Sequence, residues 1–356
     1  MNDYSVVVGM SGGVDSSTTA WLLKSKGYRV IGVTVRFLGP DLSPHKRTCC
    51  DEIAVARAKE FCRRIGVEHV VVDATASFRR KVIDKFIDDY RAGFTPNPCI
   101  ICNEKVKFPE LEAVANKLGF SYLATGHYAR TIRERDGRAF LAVPVDQSKD
   151  QSYFLYRVPV RILERTIFPL GVFSKDEVTE MYRALGFDNP STKESQDVCF
   201  LPEDGLREFL TNYLGVDQGK IVDINGIKLG RHSGTHFYTI GQRRGLGISS
   251  FKPLYVKRID AKRKEIVVST EDKLFSNLAV CSMLKLRTRD LKPPLYAKIR
   301  YKHKLSAVEY CERVGSYLKV FFKEPQRAIT PGQSLVLYRD GLVLGGGIIV
   351  DSTDIS

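Results

Sequence analysis

A glycine- and serine-rich stretch near the start of the chain has the residue types of a phosphate-binding loop. It reads Gly9-Met10-Ser11-Gly12-Gly13-Val14-Asp15-Ser16 and follows a short β-branched run at residues 5–8. Its glycines permit a tight turn and a close approach to a ligand, and the helix expected after it offers N–H groups to an anion. The stretch matches neither the Walker A pattern nor G-x-G-x-x-G. The stretch therefore predicts a phosphate-binding site that belongs to neither of these two classes.

Three cysteines in polar loops are candidates for a second kind of chemistry. Cys99 and Cys102 are spaced as Cys-x-x-Cys behind two prolines, and Cys199 stands in a distant loop. Cys-x-x-Cys occurs in redox pairs, in half of a zinc site and in iron–sulfur sites. None of the eight cysteines forms a second such pair, which excludes a four-cysteine zinc ribbon. Reactive thiolates near a phosphate site favour sulfur chemistry, but the residues alone leave these alternatives open.

The basic residues are concentrated in the second half of the chain. The net charge is +14, of which residues 201–356 carry +10. Residues 285–304 contain eight lysines and arginines against one acid, with Tyr296 and Tyr301 between them. Basic side chains bind phosphates and aromatic rings stack on bases. The basic excess suggests a nucleic-acid partner, but the stretch at 285–304 fits a solvated strand face equally well, so the residues alone leave both interpretations of it open.

The elements that must position these residues follow from the hydrophobic pattern. The first 130 residues alternate strand and helix patterns, which predicts a doubly wound parallel sheet of the α/β class. Ligands of such sheets bind at the carboxyl ends of the strands, so the loops after residues 9, 35, 73 and 124 should converge. Short strands alone follow residue 276 and predict a β-barrel. We expect a catalytic domain over 1–204, a central domain over 205–275 and the barrel over 276–356.

The composition excludes two further classes of protein. The chain has 356 residues and is 43% hydrophobic, enough for two or three domains with cores. No run approaches the ~20 apolar residues of a membrane helix, and the polar start of the chain does not resemble a signal peptide.

Residues 11–16 resemble the pyrophosphate-binding loop of the ATP pyrophosphatases, which split ATP into AMP and pyrophosphate. The full set of motifs, in chain order, is similar to that of the tRNA-specific 2-thiouridylases over nearly the whole chain. The motifs are residues 11–16, 96–103, 125–128, 149–152, 199, 241–243 and 300–301. The resemblance implies adenylation of the C2 oxygen of a wobble uridine, release of pyrophosphate, and displacement of AMP by persulfide sulfur.

The resemblance also implies the role of each residue. Cys102 is the expected nucleophile and Cys199 the persulfide carrier, and the two can also close as a disulfide. The phosphates of ATP are expected at Gly9, Met10, Ser11, Gly12, Gly13, Val14, Asp15 and Ser16, and its adenine at Val35 and Gly126. The tRNA is expected at Asn97, Pro98, Cys99, Lys149, Asp150, Gln151, Arg300 and Tyr301. Mg²⁺ would accompany ATP, a donor protein would supply persulfide or sulfide, and the location would be cytoplasmic.

Cys99 departs from the family pattern, because many members have an acid at this position. Three interpretations stay open. Cys99, Cys102 and Cys199 could hold a [4Fe-4S] cluster that leaves one iron for the transferred sulfur, the persulfide route could proceed without a cluster, or Cys99 could only pack in its loop.

Two other functions compete with tRNA thiolation. A synthetase of the ATP pyrophosphatase type that acts on a small metabolite would not need Cys102 and Cys199. An RNA-binding protein with a degenerate nucleotide fold would bind tRNA without releasing pyrophosphate.

Overall fold

The computed structural model describes residues 4–39, 52–133, 139–187, 198–201 and 205–351. The chain forms two compact units. The first comprises Met1–Val82, Pro98–Glu203 and Asp340–Val343, and the second comprises Ile83–Asn97, Asp204–Arg339 and Leu344–Ser356. The three-domain division remains a prediction, and its boundary at residue 204 lies outside the described residues.

The described helices are short to medium in length. In chain order they are α1 (Val14–Ser25), α2 (Glu52–Arg64), α3 (Thr75–Phe78), α4 (Asp84–Arg91), α5 (Pro98–Cys102), α6 (Phe108–Leu118), α7 (Ser152–Leu155), α8 (Val160–Leu163), α9 (Lys175–Ala184) and α10 (Gly205–Leu214). Two π-helical turns, Arg79–Ile83 and Asn103–Lys107, directly precede α4 and α6. Among the described residues, no helix is long and apolar enough to cross a membrane.

A five-stranded parallel sheet forms the centre of the first unit, which confirms the predicted doubly wound class. The strands of this unit are β1 (Ser5–Gly9), β2 (Arg29–Arg36), β3 (Glu68–Asp73), β4 (Tyr122–Thr125), β5 (Arg130–Arg133), β6 (Ala139–Ala142) and β7 (Thr166–Ile167). The sheet order is β3-β2-β1-β4-β7, and β5 and β6 form an antiparallel hairpin. The strand β7 was not predicted, because two residues are too few to show a period.

The central strand β1 buries both of its faces, as its β-branched run predicts. Successive side chains of a strand point to opposite faces. Val6 and Val8 pack with residues of α1, α2 and α9 in one core. On the other face, a Cβ at Gly9 would lie 3.1 Å from a methyl group of Leu111 on α6. Within the described residues helices pack on both faces of β1, so a ligand is expected at the carboxyl end of the strand.

The second unit contains a small sheet and a barrel. Its strands are β8 (Gly219–Asp223), β9 (Lys228–His232), β10 (Tyr255–Asp260), β11 (Glu265–Ser269), β12 (Phe275–Leu286), β13 (Leu295–Lys298), β14 (Ser306–Val314), β15 (Tyr317–Arg327), β16 (Ser334–Arg339) and β17 (Leu342–Val350). The small sheet has the order β10-β11-β8-β9. The barrel has the order β12-β15-β14-β13-β16-β17 and is closed by pairing of β17 with β12.

One barrel strand is shorter than predicted. The sequence pattern predicts a strand over residues 296–301, but β13 ends at Lys298. The chain then turns, since the His303 N–H donates to the Arg300 carbonyl over 3.0 Å. Nη1 of Arg300 donates to the Arg327 carbonyl over 3.2 Å. Arg300 and Tyr301 therefore lie in a turn rather than in a strand.

Candidate functional site

The phosphate loop closes on the first turn of α1 through two serines. Oγ of Ser16 accepts from the Ser11 N–H over 3.1 Å and lies 3.2 Å from Oγ of Ser11. The same Oγ donates to the Gly13 carbonyl over 3.1 Å. The Met10 N–H donates to the Val33 carbonyl of β2 over 2.8 Å. The loop is thus held in shape at the amino end of a helix, where backbone N–H groups attract anions.

Two glycines make this geometry possible. Gly12 has φ +69°, and a Cβ there would lie 2.3 Å from the Ala54 carbonyl oxygen. Gly126 follows β4, and its Cβ would lie 2.8 Å from backbone atoms of Asp15 and Ser16. A side chain at either position would push the loop away from its neighbour.

The strand register places the predicted adenine contacts on both sides of the phosphate loop. Gly9 at the end of β1 pairs with Val33 of β2 and with Thr125 of β4. Val35 lies two residues beyond Val33, and Gly126 directly follows Thr125. The ends of β3 and β2 are also level, since Asp73 pairs with Arg36. This confirms that the predicted loops converge at one edge of the sheet.

A lysine that the sequence analysis did not select lies beside this loop. Nζ of Lys175, the first residue of α9, is 2.7 Å from Oδ1 of Asp15. The Tyr128 hydroxyl donates to the same oxygen over 3.1 Å, and the Lys175 ammonium is 5.7 Å from the centre of the Tyr128 ring. Ser174 caps α9 in a capping box with Glu177, which fixes the position of Lys175. The phosphate loop thus has a side-chain cation next to its helix dipole.

His127 lies behind the loop as a neutral packing residue. Its Nδ1 is 2.8 Å from Oγ1 of Thr125, and its ring stacks on Phe108 with centroids 6.0 Å apart. Burial, reinforced by Lys107, holds the pKa of His127 well below its ordinary value. The imidazole is therefore uncharged near pH 7 and orients Thr125 rather than neutralising a phosphate.

Cys102 lies inside a continuous helical segment that reaches β1, the strand before the phosphate loop. The segment consists of α5, the π-helical turn Asn103–Lys107 and α6. Cys102 is buried, and Leu111 further along the segment packs beneath Gly9. At ~1.5 Å per residue, the nine residues from Cys102 to Leu111 span about 13 Å along the helix axis. Turns of the π type are frequent at functional sites, since they re-aim side chains within a helix.

The turn that follows Cys102 is fixed by two buried interactions. Glu104 and Arg157 form an ion pair with Nε–Oε2 of 2.6 Å, and both side chains are 3% exposed. Nδ2 of Asn103 donates to the Phe154 carbonyl of α7 over 3.1 Å. Nε and Nη2 of Arg157 donate to Oε2 and Oε1 of Glu104 over 2.6 and 3.3 Å, so the ion pair is bidentate and directional. The helical segment that holds Cys102 is therefore attached to the chain around residues 154–157.

The predicted tRNA-contacting residues of the first unit precede that attachment. Oδ1 of buried Asp150 accepts from the N–H of Ser152, the first residue of α7, over 2.9 Å. Gln151 exchanges two hydrogen bonds with the backbone of Tyr128, of 2.8 and 3.0 Å. Lys149 ends a short 3₁₀ turn and is half-buried. The structure thus uses Asp150 and Gln151 to hold the loop, whereas the Lys149 side chain is half-buried.

Cys199 is positioned by its neighbour in the chain. Phe200 is buried and packs edge-on against Phe78 of α3 with centroids 5.9 Å apart. Phe78 in turn stacks on Phe37, which directly follows the end of β2, at 5.1 Å. The half-buried Cys199 therefore belongs to the same edge of the sheet as Val35.

The three candidate cluster ligands do not form a metal site. Cys99, Cys102 and Cys199 all lie within the described residues. In that part of the chain, no group of three or more His, Cys, Asp or Glu side chains is placed to hold a metal ion. The structure brings Cys99 and Cys102 together on α5, but it does not assemble a three-thiolate set with Cys199.

Comparison with known proteins decides the family. The chain is 42% identical over 359 residues to the tRNA-specific 2-thiouridylase MnmA of Acidithiobacillus ferrooxidans, covering 98% of this chain and 99% of the relative. The MnmA of Clostridium perfringens is also 42% identical, over 98% of this chain and 99% of its own length. The chain belongs to the tRNA-specific 2-thiouridylase family.

Family models match the same 2-thiouridylase chain in three segments. Residues 4–203 match a tRNA methyl transferase HUP domain, 207–270 a tRNA methyl transferase PRC-barrel domain and 282–349 an aminomethyltransferase beta-barrel domain. Among solved structures, the U34-tRNA thiolase NcsA from Methanococcus maripaludis with its [4Fe-4S] cluster is 20% identical, with a TM-score of 0.35 over 56% of this chain and 62% of that one. A likeness this low supports no argument about ligands.

Three further cysteines within the described residues, Cys62, Cys281 and Cys311, have thiols of raised pKa. Burial raises the pKa of the Cys62 thiol to about 12 and that of Cys311 to about 11. The pKa of Cys281 is raised even further by its burial and by Cys311. These thiols stay protonated near neutral pH, so they are poor nucleophiles.

Proposed function

We propose that this 2-thiouridylase catalyses ATP-dependent 2-thiolation of the wobble uridine of tRNA. The observation that carries the proposal is the near full-length match to 2-thiouridylases, and the hydrogen-bonded loop at residues 11–16 and the cysteines Cys102 and Cys199 support it. A synthetase that acts on a small metabolite is not favoured, because the relatives of such an enzyme would not share the second unit of this chain.

In the first step, the loop binds the triphosphate of ATP. The C2 oxygen of the uracil attacks the α-phosphorus, a P–O bond forms, and the bond to pyrophosphate breaks. The N–H groups of the loop and the ammonium of Lys175 stabilise the negative charge that collects on the leaving pyrophosphate. The C2 oxygen of the uracil is a poor leaving group by itself, but after adenylation it can leave as part of AMP, which is a good leaving group.

In the second step, sulfur replaces the adenylated oxygen. The terminal sulfur of a Cys199 persulfide attacks C2, a C–S bond forms, and AMP leaves with the former C2 oxygen. The Cys102 thiolate then attacks Sγ of Cys199, which breaks the S–S bond to the thiouridine and joins the two cysteines. A dithiol reductant restores both thiols, and a donor protein supplies the next persulfide sulfur.

The magnesium that accompanies ATP would be held mainly by the substrate. Mg²⁺ is commonly bound by one or two carboxylates together with phosphate oxygens and water. Asp15 is the acid of the loop, but its Oδ1 already accepts from Lys175 and Tyr128. We therefore assign Asp15 first to the orientation of Lys175, with Mg²⁺ bound through the phosphates.

The persulfide route fits the residues better than a [4Fe-4S] cluster does. A cluster on Cys99, Cys102 and Cys199 needs three converging thiolates, and the described residues do not provide that set. In the persulfide route, Cys99 at the second position of α5 faces the target base together with Asn97 and Pro98. We place the enzyme in the cytoplasm, where it meets ATP and tRNA.

The test is product analysis with cysteine variants of the full chain. The purified protein, ATP, unmodified tRNA and a persulfide donor should yield 2-thiouridine at the wobble position, detected by nucleoside mass spectrometry. Cys102→Ser and Cys199→Ser should abolish the product, whereas Cys311→Ser, which removes a half-buried thiol of raised pKa, should retain it. Thiolation that survives loss of Cys102 and Cys199 contradicts the proposal. Stoichiometric iron that is lost in Cys99→Ala would replace the persulfide route with a cluster.

A further inference from the structure

A loop of the second unit exposes an aromatic ring among basic side chains. Residues 243–254, here named the 243–254 loop, line an open groove of about 420 Å³. The Phe251 side chain is fully exposed, at 110% of its reference area. Burial of a Phe side chain is favourable, so full exposure forgoes that stabilisation. Single exposed rings are common on protein surfaces, so the meaning of this one depends on the order and the charge of the loop that carries it.

The base of the 243–254 loop is rigid. The Gly241 N–H donates to the Val256 carbonyl over 2.7 Å, and the Val256 N–H donates to the Gln242 carbonyl over 2.9 Å. The side chain of Gln242 accepts from the Thr239 N–H and donates to the Arg244 carbonyl, over 3.1 and 2.8 Å. These bonds close the ends of the loop on β10.

The middle of the loop is anchored from within. Leu246 is buried in the core of the small sheet, where Ile248 and Leu254 pack beside it. Gly245 and Gly247 on either side of Leu246 have φ +77° and +65°, which allows the chain to dip inward and return. The loop therefore presents Phe251 on an ordered base, at a low entropic cost of binding.

The charge around Phe251 identifies the partner. Arg243, Arg244 and Lys252 are exposed, and residues 241–254 contain no acid. The exposed neighbours of the ring, Ser249 and Ser250, are polar. A protein partner would require a wider apolar patch around the ring. A single ring among cations instead matches a polyanion that carries flat bases.

We propose that the 243–254 loop binds tRNA, with Phe251 stacked on an unpaired base and the three cations on adjacent phosphates. The assignment rests on tRNA being the substrate, as proposed above. Stacking of bases on aromatic rings tolerates any sequence. The loop thus supplies affinity that is shared by every tRNA the enzyme modifies.

The test compares tRNA dissociation constants of full-length variants at fixed salt. Phe251→Ala should weaken binding about 10-fold, the effect of losing one stacked base. Phe251→Trp should bind like wild type, whereas Phe251→Leu should weaken binding although it remains apolar. The matched control is Phe275→Ala, which removes a partly exposed ring of the same unit and should leave the affinity unchanged.

The basic residues are tested by salt dependence. The triple change Arg243→Ala, Arg244→Ala and Lys252→Ala should reduce the slope of log affinity against log salt by about 2, at ~0.7–0.9 for each phosphate contact. Wild-type affinity for tRNA in Phe251→Ala overturns the proposal, and slower thiolation by that variant at unchanged affinity would assign the loop to the sulfur donor. Wild-type protein that makes no thiouridine would instead contradict the function.

Discussion

Asp15 connects the helix of the phosphate loop to two residues from distant parts of the chain. Its Oδ1 accepts from Lys175 and from Tyr128, and both partners come from segments that follow parallel strands of the same sheet. A charge-assisted hydrogen bond of this kind is strong and directional. It holds the ammonium of Lys175 beside the loop before ATP arrives, so little reorganisation is needed when the phosphates bind.

Lys175→Met should lower the kcat/KM of ATP for pyrophosphate release about 100-fold. The change removes one cation from a site where charge develops on the leaving group, and the loss of a single such group commonly costs 10²–10³ in rate. The measurement is pyrophosphate release with tRNA present, over a range of ATP concentrations. Lys26→Met, which changes an exposed lysine at the far end of α1, is the control, and equal ATP kinetics in both variants would refute the role of Lys175.

At the residue scale, sequence reasoning found the local parts of the site and missed the distant one. The serines and glycines of residues 11–16 lie within one turn, so their phosphate-loop pattern can be recognised without knowledge of the fold. Lys175 is 160 positions from Asp15, and a lysine at a helix start has no distinctive signal. Its role appears only when the sheet brings α9 and α1 into contact.

At the scale of elements, the helical segment from Pro98 to Leu118 joins the sulfur chemistry to the nucleotide site. Its π-helical turn carries the buried pair of Glu104 and Arg157. A buried pair offsets its desolvation only while both members are present. We expect this pair to fix the orientation of the Cys102 side chain, because Cys102 lies two residues before Glu104.

Arg157→Met should destabilise the protein by about 3–5 kcal/mol, because Glu104 stays buried while it loses the guanidinium that donates to both of its carboxylate oxygens. The double change Glu104→Met and Arg157→Met should recover much of that loss. Urea unfolding measures the stability, and the alkylation rate of Cys102 measures its exposure. Arg63→Met, which breaks an exposed pair with Glu60, should leave both unchanged. Equal stability of the Arg157 and Arg63 variants would contradict the structural role of the buried pair.

Element prediction from the sequence succeeded where periodic patterns are long. The strand β1 and the helix α6 are recognisable from a β-branched run and from Pro109 and Gly119 at the two ends of the helix. The strand β7 is too short to show a pattern. The strand β13 ends early because tertiary hydrogen bonds of Arg300 override its local propensity for a strand.

At the scale of the whole molecule, charge separates two tasks. Residues 1–200 are nearly balanced, whereas residues 201–356 carry +10 of the net +14. A phosphate loop needs oriented N–H groups and one or two cations. A polyanionic tRNA instead needs many cations that are spread over a surface. The composition could reveal this division, whereas closure of the barrel through β12 and β17 depends on a pairing of distant segments that no local pattern encodes.

Arg300→Ala should weaken tRNA binding and reduce its salt dependence by about one counterion. Arg300 is half-buried in the turn after β13, where a phosphate contact would be well oriented. Binding titrations between ~50 and ~200 mM salt measure the slope. Lys323→Ala on β15, outside the basic stretch, is the control. A slope unchanged by Arg300→Ala would show that the tRNA does not reach this turn.

The most direct test of the central claim is pyrophosphate release by Cys199→Ser in a single turnover with tRNA and ATP. In the proposed mechanism, the phosphate loop supports adenylation and Cys199 delivers the sulfur. The variant should therefore release pyrophosphate in an amount that matches the tRNA, but form no 2-thiouridine. A folded variant that binds tRNA and ATP yet releases no pyrophosphate, or one that still forms 2-thiouridine, would contradict this division of roles.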